Sequence, residues 1–217
     1  MKLVVSASLL ALAIASPAQA QVQAGDVLVR ARAIVVSPTE KAGTVKPGFP
    51  TGSVSVSDSV APEVDFTYMW TDHIGTELIL ATTKHDIRGT GSIAALGDVA
   101  DTWVLPPTLT VQYHFAPKAK IRPYVGAGVN YTIFYSSDAS RSLENAIGKT
   151  DVKLKDSFGY ALQAGVDVDL TKRVFLNLDV KYIDIDTRAR LTTGGAVNRV
   201  NVSLDPIVPS IGLGMRF

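Results

Sequence analysis

The chain's three histidines are where a search for catalysis begins. Hydrolysis by an activated hydroxyl needs an imidazole to take the proton and a carboxylate to orient it, all within hydrogen-bond reach. His85 stands beside Asp86, with Asp101 further along, but no spacing enforces their meeting. His73 falls in a short turn, and His114 falls in a strand near its end. A lipid-modifying enzyme is therefore the weakest functional class, and no catalytic residue is assigned. Asp184 and Asp186, beside Asp138 or Asp156, offer oxygen ligands of the kind calcium takes. Loop carboxylates are usually only solvated, so no metal site and no cofactor is assigned. Cysteine is absent, which excludes disulfides and cysteine-ligated zinc. No glycine-rich phosphate loop and no nucleic-acid patch stands out in the linear sequence. A net charge of +1 supplies no global field toward a polyanion, so nucleic acid is not an expected partner.

A second set of ionisable residues recurs at alternate positions inside apolar segments. Arg30, Arg32, Arg122, Lys181 and Arg216 stand against Glu63, Asp65, Glu77, Asp167, Asp169 and Asp179, with His114 nearby. Mixed charges of near-balanced number, in mid-segment, suit an ionic network across a narrow lumen.

The elements that must position these groups are strands. In Glu63–Trp70, Val64, Phe66, Tyr68 and Trp70 alternate with Glu63, Asp65, Thr67 and Met69. Period two is the mark of a strand with one apolar face. The same pattern gives eight strands: Val27–Val36, Glu63–Trp70, Ile74–Thr82, Val104–Phe115, Arg122–Tyr135, Phe158–Asp169, Val174–Asp184 and Leu204–Phe217. Most reach the ~9–11 residues of a tilted membrane-spanning strand. The stretches between them alternate in length. Thr71–His73, Ala116–Ile121 and Leu170–Arg173 are short, while Ser37–Pro62, Thr83–Trp103, Ser136–Ser157 and Asp186–Ser203 are long and polar and read as loops. A short helical turn is expected at Ser142–Gly148. Short periplasmic turns and long outer loops are the asymmetry of outer-membrane barrels.

Three features turn the apolar face outward to lipid. The polar face is too charged in mid-strand for ordinary decoration. Aromatics gather near the strand ends: Trp70, Tyr113, Phe115 and Phe217 on the turn side, Tyr131, Tyr135, Phe158, Tyr160 and Tyr182 on the loop side. Small and aliphatic residues fill the middle, as in interfacial girdles. The last strand alternates Leu213, Met215 and Phe217 to a terminal aromatic, which resembles the signal read by the outer-membrane assembly machinery. At the other end, Lys2, the apolar run Leu3–Ile14 and Ala18-Gln19-Ala20 predict a signal peptide over residues 1–20, leaving one domain over 21–217. No later run reaches the ~20 apolar residues of a helical span. The expected fold is an all-β, eight-stranded antiparallel transmembrane β-barrel integral to the bacterial outer membrane, in contact with its lipids.

Several stretches carry a family resemblance. They include Phe66-Thr67-Tyr68-Met69 with Thr71-Asp72-His73-Ile74-Gly75-Thr76-Glu77-Leu78, and Leu105-Pro106-Pro107-Thr108-Leu109. Arg122-Pro123-Tyr124-Val125-Gly126-Ala127-Gly128-Val129-Asn130-Tyr131-Thr132 is the most recognisable block. Lys155–Gly159, Tyr182–Thr187, Leu204-Asp205-Pro206 and Arg216-Phe217 complete the set. In this order they resemble the OmpW family over essentially the whole mature chain. The resemblance implies a narrow, largely apolar channel for small hydrophobic molecules, weak ion conduction, and a route from the outer loops sideways through the wall.

Within that expectation Ile79, Met69 and Lys181 are candidate constriction residues. Lys181 falls where relatives can carry a large aromatic, so amphipathic solutes become candidates too. Pro106 and Pro107 lack the N–H that a ladder needs and mark a strand entry in the wall. Gly126, Gly128, Gly212 and Gly214 face the lumen by register and leave room for neighbours. The alternatives are a structural, adhesive or receptor barrel without transport.

Overall fold

The computed structural model describes residues 21–217. The signal-peptide reading of residues 1–20 lies outside the described residues. In chain order the strands are β1 (Val27–Val36), β2 (Lys41–Ala42), β3 (Gly52–Val56), β4 (Ser59–Met69) and β5 (Ile74–Ala81). Next come β6 (Thr83–Gly91), β7 (Asp98–Leu105), β8 (Thr108–His114), β9 (Ile121–Ala139) and β10 (Thr150–Leu154). The last five are β11 (Ser157–Asp169), β12 (Val174–Ile183), β13 (Asp186–Thr193), β14 (Ala196–Ser203) and β15 (Ile207–Arg216). One helix, α1 (Arg141–Ile147), sits where the sequence predicts a helical turn, and the Ser140 hydroxyl caps it by accepting from the Leu143 N–H.

Eight strands form the wall, in the order β1–β4–β5–β8–β9–β11–β12–β15. β1 pairs with β15 from Leu28↔Arg216 to Ile34↔Ser210, which closes the ring with every neighbour antiparallel. The period-two pattern explains both faces. Along β4, Glu63, Asp65, Thr67 and Met69 are buried, while Val64, Phe66 and Tyr68 point out. Asp65 is 0% exposed and its neighbour Phe66 is 45% exposed, the reverse of a soluble core. The outward aromatics of the expected girdles, among them Trp70, Phe115, Tyr131, Phe158 and Phe217, are likewise exposed. Such a surface is stable in hydrocarbon, where a closed ring of paired strands leaves no open sheet edge.

Two of the turns use one device. The Thr71 hydroxyl accepts from the His73 and Ile74 N–H groups, and the Thr171 hydroxyl accepts from Arg173 and Val174. At this turn end Val22, Leu28, Met69 and Phe175 form a small apolar plug. Val22 is tied there by its N–H to the Pro117 carbonyl at 3.0 Å. Arg216 is at this rim rather than deep in the lumen. It pairs with Asp26 at 3.7 Å and donates to the Lys172 carbonyl.

The long stretches Thr83–Trp103 and Asp186–Ser203, read as loops, are largely strand, and Ser37–Pro62 and Ser136–Ser157 are partly so. β6 and β7 continue the β5–β8 side, β9 runs on to Ala139, and β10, β13 and β14 prolong β11, β12 and β15. A crown of paired strands β3–β6–β7–β9 and β10–β13–β14–β2 therefore stands beyond the wall. Their composition is polar because one face meets water. The other still alternates inward, as β6 does with Thr83, His85, Ile87 and Gly89 buried. The strand count of the wall is as expected, and only its height was underestimated.

Glycine placement makes the lumen packable. Gly214 pairs with Arg30 on β1 and with Phe175 on β12, and the Phe175 ring lies where a Gly214 side chain would go. Gly212 lies opposite Arg32, whose Cγ a Cβ there would meet at 2.8 Å. Replacing Gly214 by Val should displace Phe175 and lower stability by about 1–3 kcal/mol, the usual cost of overpacking. Urea unfolding in lipid vesicles measures this, and an unchanged midpoint would show that the ring packs elsewhere.

Candidate functional site

The lumen divides into two parts of opposite character. Across its middle runs an ionic belt. Arg30 reaches Asp65 at 2.9 Å, Asp167 at 3.2 Å and Glu77 at 3.3 Å. Arg32 meets Glu63 and Asp65, both at 2.7 Å, and Glu77 at 3.1 Å. Lys181 joins Glu63 at 2.9 Å and Asp179 at 3.0 Å. All these side chains are buried. Register explains the meeting, because Arg30 and Asp65 are direct partners across β1–β4, and so are Arg32 and Glu63. Planar guanidinium forks suit such multiple carboxylate contacts.

Neutral donors complete the belt. Thr110 and Gln163 donate to Glu77, Thr67 accepts from Arg30, and Asn177 donates to Asp167 at 2.8 Å. Tyr124 donates to Asp179 at 2.9 Å, and the Arg30 guanidinium lies 5.4 Å from its ring centroid. Arg122 pairs with Asp169 toward the turn end and stacks over Phe175. His114 bonds Gln112 at 3.0 Å and stacks on Tyr124. Of these groups, Tyr124, Thr67, Gln163 and Asn177 were given no role in the sequence reading. Their parity with Arg122, Asp65, Asp167 and Asp179 on the same strands is the signal that marks them as inward.

Beyond the belt toward the loop end the lumen turns apolar. A slot with a free volume of about 40 Å³ is lined by Ile34, Ile79, Val104, Ile183 and Val208, and its floor includes Glu63 and Lys181. A second slot of about 50 Å³ continues into the crown between Ile87, Phe134, Val152, Leu191 and Val200. Val56, His85, Val104 and Leu204 line both, so the two are contiguous. Each has room for only about three or four waters. His85 lies beyond the outer aromatic Trp103, and burial holds it below the ordinary imidazole range. Its ring nitrogens meet the Ser57 carbonyl at 2.8 Å and the Thr83 hydroxyl at 3.0 Å. The side chain of Asp86 turns outward, so this strand does not assemble a triad around His85. Among the described residues no cluster of three metal-ligating side chains forms.

The wall is interrupted beside the slot. Ladder pairing of β5 with β8 ends at Ile79↔Thr108, and β6–β7 pairing begins at Thr83↔Val104. Between them lie residues 80–82 on one side and Leu105, Pro106 and Pro107 on the other, and the prolines cannot donate. Ala81 and Pro106 line the slot from this gap. Outside, the Tyr135 hydroxyl meets the Thr82 hydroxyl at 2.6 Å and spans it.

Of the candidate constriction residues, Ile79 and Lys181 share this slot. Met69 does not join them and belongs to the turn-end plug with Val22, Leu28 and Phe175. Leu213, Met215 and Phe217 face outward on β15.

Comparison with known proteins places these observations. The family model described as OmpW family matches residues 23–217. Outer membrane protein W of Escherichia coli (strain K12) is 42% identical over 196 residues, covering 90% of each chain. The dibenzothiophene metabolism operon protein PahQ of Pseudomonas aeruginosa is 31% identical over 172 residues, 77% of this chain and 76% of that one. The crystal structure of the outer membrane protein OprG from Pseudomonas aeruginosa superposes with a TM-score of 0.86 at 31% identity, covering 92% of this chain and 99% of that one.

Removing one partner from a buried ion pair typically costs about 3–5 kcal/mol because its counter-charges stay buried. Arg32→Met, which leaves Glu63, Asp65 and Glu77 with only Arg30 and Lys181 to balance them, should fall in that range by urea unfolding in vesicles. Adding Glu63→Gln should recover part of the loss, and strict additivity of the two changes would show that they are not coupled.

Proposed function

The chain belongs to the OmpW family, and on that footing we propose that it is a narrow passive channel for small hydrophobic or amphipathic molecules across the outer membrane. The observation that carries this reading is the apolar slot that runs from the crown to the ionic belt and ends beside the wall gap. A solute entering from the crown loses water among Ile87, Val104 and Ile183. It then meets a floor of Lys181 and Glu63, which a purely apolar solute crosses only by breaking the belt. The lower-cost exit is sideways, past Ala81 and Pro106 into lipid. Lys181 and Glu63 give a polar headgroup a partner while its tail lies against Ile79 and Val208, which favours amphipathic cargo.

The slots are too small for cargo at rest, so passage requires the gap to widen. Tyr135 and Thr82 are the polar contact that closes it from outside. A relative named for a dibenzothiophene metabolism operon supports an apolar cargo class. The reading is non-enzymatic, since His85, the imidazole nearest the slot, is held by Ser57 and Thr83 rather than by a carboxylate.

Uptake into protein-bearing liposomes, across a series of hydrophobic, amphipathic and ionic solutes, tests the proposal. Hydrophobic and amphipathic probes should enter faster than into protein-free liposomes, while ionic ones should not. Ile79→Trp should fill the slot and slow entry severalfold, Ile79→Ala should change the rate, and Tyr135→Phe should speed entry by loosening the gap. Rates that match protein-free liposomes for every solute would leave a structural or adhesive barrel instead.

A further inference from the structure

The pairing of the crown strands brings together cations that are scattered in sequence. Lys153 on β10 lies opposite Arg190 on β13, Arg190 opposite Arg199 on β14, and Arg199 opposite Lys46. Directly paired residues share a face, so four cations form one row across four adjacent segments. Two positions nearer the membrane, Lys155 and Arg188 sit side by side, because the Lys155 N–H bonds the Arg188 carbonyl. All six are exposed on the outer face, while Val152, Ala189, Val200 and Val202 between them point inward.

Like charges directly opposite one another destabilise a sheet. The carboxylates nearby do little to relieve this. Asp156 accepts from the Tyr131 hydroxyl and the Phe134 N–H, both at 3.2 Å, and Asp186 accepts from Ser203. Asp151 pairs with Lys153 alone, at 3.5 Å. Among the described residues, Lys46, Lys155, Arg188, Arg190 and Arg199 have no ion pair.

The Lys46–Arg199 end of the row and the Lys155–Arg188 pair line two contiguous recesses, with Arg190 next to Arg199 on the same face. One, of about 1020 Å³, is lined by Lys41, Lys155 and Arg188, by the hydrogen-bonded carboxylates Asp156 and Asp186, and by Tyr131 and Phe158. The other, of about 290 Å³, is lined by Lys46, Arg188 and Arg199, and Arg188 and Asn201 belong to both. Phe158, 72% exposed, belongs to the outer aromatic girdle, three residues from Lys155. That is about 10 Å along a strand. The cations therefore begin where the hydrocarbon ends, over a recess floored by aromatics.

We propose that this face binds the phosphate-bearing headgroup of a glycolipid in the outer leaflet. Arg190, Arg199 and Lys46 would take phosphate oxygens, Arg188 and Lys155 a second anionic group, and Tyr131 and Phe158 the sugar and upper acyl region. Arginine forks match phosphate geometry. Charge complementarity and continuity with the aromatic girdle favour a lipid headgroup over a soluble anion.

The test uses the full-length barrel in phosphatidylcholine vesicles doped with diphosphoryl lipid A or with the same lipid after dephosphorylation. Glycolipid retained through a detergent wash is counted by mass spectrometry, and the urea midpoint is measured in parallel. Wild-type protein should retain the diphosphoryl form and gain stability from it, and should do neither with the dephosphorylated form. Arg190→Gln/Arg199→Gln should lower retention on the order of twentyfold, at roughly fivefold per cation near an anionic surface. Arg190→Lys/Arg199→Lys should keep most of it. In phosphatidylcholine alone the glutamine variant should be as stable as wild type or more so, because the repulsion is gone. Equal retention of the two lipid forms would overturn the proposal. So would wild-type retention by the glutamine variant, a glutamine variant less stable in both lipids, or equal retention of soluble inositol hexakisphosphate.

Discussion

Hydrocarbon offers a peptide group no hydrogen-bond partner, and the molecule is organised around that fact. An open sheet edge cannot face lipid, so β1 must meet β15 and the ladder must close. Closing eight strands fixes the bore at about the width that side chains themselves fill. What faces inward must then be packed and electrically satisfied at once. The belt of Arg30, Arg32 and Lys181 with Glu63, Asp65, Glu77, Asp167 and Asp179 answers both needs. The lumen-facing glycines on β15 supply the space that large side chains from β1 and β12 require.

Belt and slot divide the interior between them. A salt-bridged middle, cross-linked from wall to wall, is a poor path for a greasy molecule. The apolar slots lie on its loop side, against a stretch of wall where Pro106 and Pro107 leave the ladder incomplete. In the channel proposed above, charge in the lumen would set direction, favouring the side of the barrel over its far end. The same barrel presents water-facing cations outside the crown and apolar side chains inside it, because alternation along each strand forces the two faces to differ.

The closed barrel and its inverted polarity were legible in the sequence, since alternation in segments such as Glu63–Trp70 fixes both the strand and the face. Arg30, Arg32, Asp65, Glu77, Asp167 and Asp179 could be placed inward by parity alone. What parity lacks is depth. Met69 and Ile79 share a face but lie at opposite ends of the belt, because strand tilt and register, set by pairings such as Asp65↔Ile79, decide height. The crown was misread for a related reason. Its strands are rich in Thr and charged residues and solvated on one face, so their composition imitates loops. The cation row was invisible to a linear reading, because Lys46, Lys153, Arg190 and Arg199 become neighbours only when four segments pair.

The belt also bears on how the chain reaches this state. Arg30 is on the first wall strand, and its partner Asp167 is 137 residues later. Asp65 and Glu77 are nearer, but the guanidinium is enclosed only when β15 comes alongside β1. Until then it keeps one side open to water, and contacts as distant in sequence as Asp167 form slowly. Ring closure therefore completes a charge network that β1, β4 and β5 can begin among themselves. A barrel still open between β1 and β15 keeps a row of backbone groups, as well as part of the belt, that hydrocarbon cannot satisfy.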